Sequence, residues 1–273
     1  MDTLVMKFGG SSVLSHESYP RIASIIAERS KAFSSIVVVV SAMGDMTDQL
    51  IELSKKVHPN PPRREQDMLI SAGERISIAL LAMALERKGK EAISFTGSQS
   101  GIITCARHSD ARIVDVRPYR LLSHLKEKKI VIVAGFQGVG LNGEITTLGR
   151  GGSDTSAVAL AVALGAKKVE FYKDVSGIFS EDPKDNPEAS LYKTLSYSGA
   201  EKISHKGSGV LHSRSIGLAK QNGIPLHVLS HIEFTRNADI KELGTLITGK
   251  ERNSDGVFEP LKGDQFFLDG ECI

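Results

Sequence analysis

The chain has 273 residues, 41% of them hydrophobic and 24% charged, with a formal net charge of +2, enough length for one large domain or two lobes around a sizeable core. A charge so close to balance excludes the electrostatic footprint of a nucleic-acid or anionic-membrane binder, so any ligand has to be recognised locally. Cys105 and Cys272 are isolated and lack metal-ligand spacing, no charged-then-apolar export segment opens the chain, and the apolar runs are too short or too interrupted to span a bilayer; together these predict a reducing, cytoplasmic setting.

The first apolar run, residues 4–8, ends in Gly9-Gly10-Ser11-Ser12-Val13, a strand followed by a glycine turn. Residues 17–33 carry Ile22, Ile25, Ile26 and Ala27 at helical spacing, and 35–40 is a β-branched run of the kind buried on both faces of a parallel sheet, so a βαβ unit opens the fold. The second strand ends in another small polar turn, Ser41-Ala42-Met43-Gly44-Asp45-Met46-Thr47, which leads into a helix reaching residue 57; ligands of parallel sheets bind at such carboxyl ends. Residues 58–64 form a proline-rich surface connector. Residues 65–88 predict a long helix with Met68, Leu69, Ala72, Ile76, Ala79, Leu80 and Met83 on its apolar stripe and Gly89 as its stop, interrupted by Ser71-Ala72-Gly73-Glu74-Arg75. On position alone Glu74, beside that stripe, reads as a solvated surface charge.

Strands are predicted at 92–96 and 130–134, with Pro118 opening a short helix between them, and Leu141-Asn142-Gly143-Glu144-Ile145 has the Asn-Gly signature of a tight hairpin. The hairpin feeds a glycine-rich turn, Gly149-Arg150-Gly151-Gly152-Ser153-Asp154, that opens a buried helix over 157–164. The glycines let backbone N–H groups point at one spot, and Ser153 and Asp154 are favoured N-cap types. Such a turn is a ready anion seat, to which Arg150 adds a planar fork of donors; the plain alternative is a capped turn that binds nothing, with Arg150 in water. A strand at 169–172, the segment 173–184, a helix at 213–221 and strands at 226–229 and 245–248 follow. This pattern predicts an α/β fold, a mainly parallel sheet sandwiched by helices, with an N-terminal lobe over 1–166, a C-terminal lobe over 167–249 and a tail over 250–273.

Two common phosphate motifs are excluded: there is no Gly-x-x-x-x-Gly-Lys-Ser/Thr loop, and no Gly-x-Gly-x-x-Gly follows the first strand. Here a lysine precedes the glycines. Lys7 by itself reads as a surface strand end, but beside a Gly-Gly-Ser turn its ammonium can also meet phosphate oxygens held by the turn amides.

Taken jointly and in order, Lys7-Phe8-Gly9-Gly10-Ser11-Ser12-Val13, Ser41-Ala42 with Thr47, Gly73-Glu74, Gly135-Phe136, the 149–154 turn, Asp174-Val175 with Gly177-Ile178 and Asp182-Pro183, Val210-Leu211-His212 and Gly244-Thr245-Leu246 resemble the aspartate kinase signature. The resemblance implies the amino-acid-kinase fold, two lobes in one catalytic unit, and transfer of the γ-phosphoryl group of MgATP to the β-carboxylate of L-aspartate, the first step toward lysine, threonine and methionine. A carboxylate is ionised at neutral pH, so positioning and charge neutralisation suffice and no strong base is needed. The implied roles place Arg150 on the α-carboxylate of aspartate and Glu74 on its ammonium, with Ser41, Thr47, Gly152 and Ser153 as short polar contacts. Lys7 and the Gly9-Gly10-Ser11 amides stabilise the transferred phosphoryl group, Asp154 orients Lys7, and ATP oxygens and water hold Mg²⁺.

On the nucleotide side the resemblance assigns Lys173, Asp174, Phe179, Lys184, Gly209 and Val210, and the departures cluster there. The family has Thr where this chain has Lys173, Tyr where it has Phe179, Arg where it has Lys184, and Lys-Val-Leu-His-Pro where it has Gly209-Val210-Leu211-His212-Ser213; Lys173 or Lys206 is the expected substitute for the missing lysine. The chain is expected to lack the paired regulatory ACT domains and to self-associate. Two alternatives stand beside this reading: a kinase of the same fold acting on another acid such as N-acetylglutamate, and a non-catalytic nucleotide-binding homologue.

Overall fold

The computed structural model describes residues 2–205, 210–234 and 243–249. The first half runs β1 (Thr3–Phe8), α1 (Ser18–Arg29), β2 (Ser35–Val40), α2 (Met46–Val57), α3 (Arg63–Ile70), α4 (Ala72–Glu86), β3 (Ala92–Phe95), β4 (Ile102–Thr104), β5 (Ile113–Val116) and α5 (Tyr119–Lys126). It continues through β6 (Ile130–Ala134), β7 (Gln137–Gly140), β8 (Ile145–Thr147), α6 (Gly152–Ala163), β9 (Lys168–Lys173), β10 (Thr194–Leu195), α7 (Tyr197–His205), α8 (Ser213–Gln221), β11 (Leu226–Ser230), α9 (His231–Phe234) and β12 (Thr245–Ile247).

Eight strands form one sheet in the order β10-β12-β11-β9-β1-β2-β6-β3, parallel except for the β11–β12 pair. Every residue of β1, β2 and β6 is buried, as the β-branched run of β2 predicts for a strand covered on both faces. Successive side chains of a strand point to opposite faces, and the core divides accordingly. Leu4, Met6 and Phe8 join Ile22, Ile26, Leu81 and Leu85 beneath α1 and α4, while Val5 joins Val37, Val39, Val133 and the buried stretch of α6. The same alternation sends Lys7 to the α6 face. The sheet is continuous across residue 167, because β9 pairs directly with β1, Lys7 opposite Phe171.

A second sheet, β5-β4-β7-β8, stands beside the first. Its β7–β8 hairpin turns through Asn142-Gly143 as the sequence indicates, with Gly143 at φ 81°. The strands β4, β5 and β10 and the helices α7 and α9 were not expected; each is short, and their few apolar residues set up no period.

The long helix expected over 65–88 is broken at Ser71, and its apolar stripe is displaced. Met68, Ile76 and Met83 are exposed, while Ile70, Gly73, Glu74, Ser77, Ile78, Leu81 and Leu85 face inward. The reason is close approach: a Cβ at Gly73 would come within 2.8 Å of the Ala42 Cβ, so small residues occupy buried positions that a count of large apolar residues misses. By length and mean hydropathy Arg63–Glu86 does qualify as a membrane span, contrary to the sequence expectation. In the fold it packs on the sheet and carries Asp67 and Glu74 inside the protein.

Candidate active site

The carboxyl ends of β1, β2 and β6 and the start of α6 surround a cavity of about 620 Å³. It brings together Lys7, Gly10, Ser41, Thr47, Glu74, Arg150, Gly152, Ser153 and Asp154, nine of the residues singled out from sequence. Level strand ends explain the convergence, since Lys7 pairs with Val39 and Phe8 with Val40, so the turns after β1 and β2 leave the sheet side by side. They nearly touch: a Cβ at Gly10 would lie 3.0 Å from Gly44 O, and one at Gly9 would lie 3.3 Å from Lys7 Nζ.

Lys7 and Asp154 form a buried ion pair, Nζ to Oδ1 2.6 Å, and Lys173 closes on the other carboxylate oxygen at 3.3 Å. Burial pushes the Lys7 ammonium down to about 8 against the pull of Asp154. Burial also works against ionised Asp154, but Lys173 and Lys7 outweigh it and hold the carboxyl at about 2. At neutral pH the carboxylate is therefore charged and Lys7 mostly protonated.

Glu74 is not the solvated charge that its position alone suggests, because only 2% of it is exposed. The close packing at Gly73 brings its carboxylate to the start of the turn after β2, where Oε1 accepts from Ala42 N at 3.1 Å. Its Oε2 is buried and has no hydrogen-bond partner; Gln137 lies near, but its Nε2 donates to Ser71 O at 2.9 Å. Burial raises the Glu74 carboxyl to about 7. An acceptor kept from water without a donor is costly unless a ligand supplies one.

The glycine turn differs from the expected capping. Gly151, at φ 72°, is the residue before α6 and gives no side-chain cap, while Ser153 and Asp154 sit inside the first turn of the helix. Gly149 is also left-handed, at φ 69°. No Cβ fits at Gly151, where the His212 ring packs against the turn. Arg214 donates from Nη1 to Leu148 O at 2.9 Å and pairs with Asp110 at 3.2 Å. Arg150 is exposed and makes no hydrogen bond or ion pair among the described residues. Phe136, at φ 70°, holds an uncommon conformation for an aromatic residue on the cavity wall. His212 and Phe136 line the cavity without having been singled out as site residues, although both belong to the quoted motifs; Ser213 also lines it.

The nucleotide-side residues are placed less tightly. Lys173 joins the site through Asp154, and Ser11 Oγ donates to Asp174 Oδ1 at 3.2 Å. Phe179 forms an isolated bridge with Leu191, Lys184 is exposed, and Val210 packs against the core; none of the three lines the cavity. Gly209 and Lys206 lie outside the described residues. Among the described residues no three His, Cys, Asp or Glu side chains gather as a metal site.

A covered parallel sheet with a polar cavity at its strand ends defines an α/β small-ligand domain. A model of the amino acid kinase family matches residues 2–230, and the chain belongs to that family. The aspartokinase of Geobacillus stearothermophilus is 49% identical over 242 residues, 89% of this chain and 60% of the relative. The solved aspartate kinase from Synechocystis superposes with a TM-score of 0.79 at 44% identity, covering 92% of this chain and 40% of that one. Aspartokinase III of E. coli, solved in complex with aspartate and ADP, superposes with a TM-score of 0.80 at 26% identity, covering 92% of this chain and 65% of that one. The chain thus spans about 60% of the length of the curated relatives it matches.

Proposed function

We propose that this chain carries the catalytic unit of an aspartate kinase, which transfers the γ-phosphoryl group of ATP to the β-carboxylate of L-aspartate and gives 4-phospho-L-aspartate. The observation that carries this reading is the pair Glu74 and Arg150 in one cavity: a buried carboxylate oxygen without a donor and a guanidinium without an acceptor among the described residues. A ligand with both an ammonium and a carboxylate satisfies both. The similarity to aspartokinases over most of this chain supports the same choice.

In the proposed reaction an oxygen of the aspartate β-carboxylate bonds to the γ-phosphorus, and the bond to the β–γ bridging oxygen breaks with its electron pair leaving on ADP. No proton has to move, so the protein acts by alignment and charge. Arg150 takes the α-carboxylate and Glu74 the ammonium, while Ser41, Thr47, Gly152 and Ser153 bound the remaining space. Lys7 stabilises charge on the transferred group, and Asp154 with Lys173 holds its ammonium in place. Gly9, Gly10 and Ser11 face the phosphates, and Lys173, Asp174, Phe179, Lys184 and Val210 form the nucleotide side, in a C-terminal lobe from residue 167. Lys7 and Lys173 flank the Asp154 carboxylate, so Mg²⁺ would be held mainly by ATP oxygens and water and would supply charge neutralisation on the phosphates. We further place the enzyme in the cytoplasm, as a self-associating protein at the first step toward lysine, threonine and methionine.

Trapping the acyl phosphate as a hydroxamate, alongside ADP release, tests the reading across L-aspartate, N-acetyl-L-aspartate, N-acetylglutamate and UMP. Aspartate is expected to turn over and its N-acetylated analogue to fail, because acetylation removes the ammonium that Glu74 requires. Faster turnover of N-acetylglutamate or UMP overturns the substrate assignment, and nucleotide binding without any turnover overturns the catalytic one.

A further inference from the structure

Asp67, on α3, is fully buried and does not line the cavity. Donors converge on its carboxylate: Thr147 N at 3.1 Å, Thr147 Oγ1 at 2.7 Å and Ser109 N at 3.0 Å, with His108 Nδ1 at 2.9 Å. An ionised carboxylate only accepts, and its lone pairs suit such a set of donors; hydrogen bonds to a charged acceptor are also the stronger kind.

Thr147 and Ser109 lie under the Arg150 turn. Thr147 ends β8 two residues before Gly149. Ser109 and Asp110 form the surface on which Gly149 rests, since a Cβ there would meet Asp110 Oδ1 at 3.1 Å and Ser109 O at 3.2 Å. Asp67 also belongs to the helical segment α3–α4 that presents Glu74, which is seven residues, or about two helical turns, further along. One segment therefore carries Glu74 directly and grips the base of the Arg150 turn through Asp67.

We infer that Asp67 is a positioning residue that sets the separation of Glu74 from Arg150 and so fits the cavity to an α-amino acid of defined length. The inference rests on the reading of that pair as the ammonium and carboxylate partners of the substrate. Asp67 does not reach Lys7 or the 173–184 segment, so its loss weakens the hold on the amino acid while ATP binding stays.

The test compares Asp67→Asn and Thr147→Val with the parent by hydroxamate trapping, measuring KM for aspartate, KM for MgATP and kcat, together with amide hydrogen exchange over residues 148–152. Asn places an N–H₂ where donors already point, so Asp67→Asn is expected to raise the aspartate KM by about tenfold or more while the MgATP KM stays within about twofold. Thr147→Val keeps the backbone bond and removes only the hydroxyl; a rise of about threefold is expected, with faster exchange over 148–152 in both variants. A general loss of structure would instead raise both KM values together or lower kcat alone; either result overturns the inference, as does an aspartate KM unchanged in both variants. If Asp67→Asn does not fold, Thr147→Val decides by the same split. A parent that fails to phosphorylate aspartate overturns the functional reading instead. The anchoring is then judged by exchange in Thr147→Val, where unchanged rates over 148–152 overturn it.

Discussion

Residues 149–154, which follow β8 of the four-stranded sheet, and residues 181–185, beyond β9 of the eight-stranded sheet, are built in opposite ways. In the first, Leu148 is held by Arg214, Gly149 rests on the 109–110 backbone, Gly151 fits under His212, and Asp154 is clasped by two lysines. The second, Glu181, Asp182, Pro183, Lys184 and Asp185, is exposed throughout and tied mainly by local bonds such as Lys184 N to Asp182 Oδ1 at 2.9 Å. A site whose partners are already in place loses little ordering entropy when a ligand arrives, whereas an exposed segment pays that cost on binding. Substitutions in the first region should therefore act strongly and specifically, and those in the second weakly.

The largest effect is expected at Lys7. Lys7→Ala should lower kcat by roughly 10²–10³, the usual loss for one preorganised charge at a reacting group, with a smaller change in the MgATP KM. Lys7→Arg should rescue poorly, because a guanidinium is wider than an ammonium and Gly9 leaves little room. A kcat within threefold (~0.7 kcal/mol) of the parent for Lys7→Ala, measured at saturating substrates, would return Lys7 to a strand-end residue.

Next come Glu74→Gln and Arg150→Ala, each expected to raise the aspartate KM by about 10–100-fold, the worth of one charge-assisted hydrogen bond, with the MgATP KM nearly unchanged. Glu74→Gln should also raise the melting temperature of the ligand-free protein near pH 8. The Glu74 carboxyl lies at about 7 in the fold, against 4.5 as a model value, so its ionisation costs stability progressively between those values, on the order of 3 kcal/mol once complete. A lower melting temperature for Glu74→Gln would contradict the account of an unsatisfied buried acceptor.

The same group sets a pH dependence. Glu74 binds an ammonium only as a carboxylate, so kcat/KM for aspartate at saturating MgATP should fall as pH drops through about 7, approaching tenfold per unit (~1.4 kcal/mol) below it. The limb should vanish in Glu74→Gln. Burial sets Lys7 at about 8, so kcat/KM for MgATP should fall as pH rises through that value. An acid limb for aspartate near 4.5 instead would place Glu74 in water.

Gly151→Ala should destabilise the fold by about 1–3 kcal/mol in a thermal or urea titration, since φ 72° and the His212 ring both oppose a Cβ. The smallest effect is expected at Lys184, where replacement by Ala should change the MgATP KM by no more than about twofold, as for an exposed charge. A loss of thirtyfold (~2 kcal/mol) would break the contrast between the two regions, because it would show a segment that ligand binding organises as tightly as the glycine turn.

Apart from β10, the strands of the large sheet were legible because apolar runs bounded by turn residues leave few alternatives, and the turns predicted after β1, β2 and β6 do meet at one cavity. Burial was less legible. The misplaced stripe of α3–α4 came from weighing Met68, Ile76 and Met83 by hydropathy when Gly73 and Ser77 mark the contact face. Asp67 and Arg214 were invisible because their meaning lies in partners 80 and 66 residues away, and a charged side chain carries no local sign of what it will touch. Gly151 was read as flexible backbone for an anion and proved also to be a gap that the His212 ring fills, a constraint set by tertiary contact alone.

The alternation of β1 ties chemistry to folding fidelity. Leu4, Met6 and Phe8 serve one layer of the core and Val5 and Lys7 the other, so a slip of one residue would thrust Lys7 among isoleucines and leave Asp154 facing a hydrocarbon. A single alanine inserted between Met6 and Lys7 would thus silence turnover with every reacting side chain still present, and enzymatic rate becomes a direct readout of whether the first strand has found its frame.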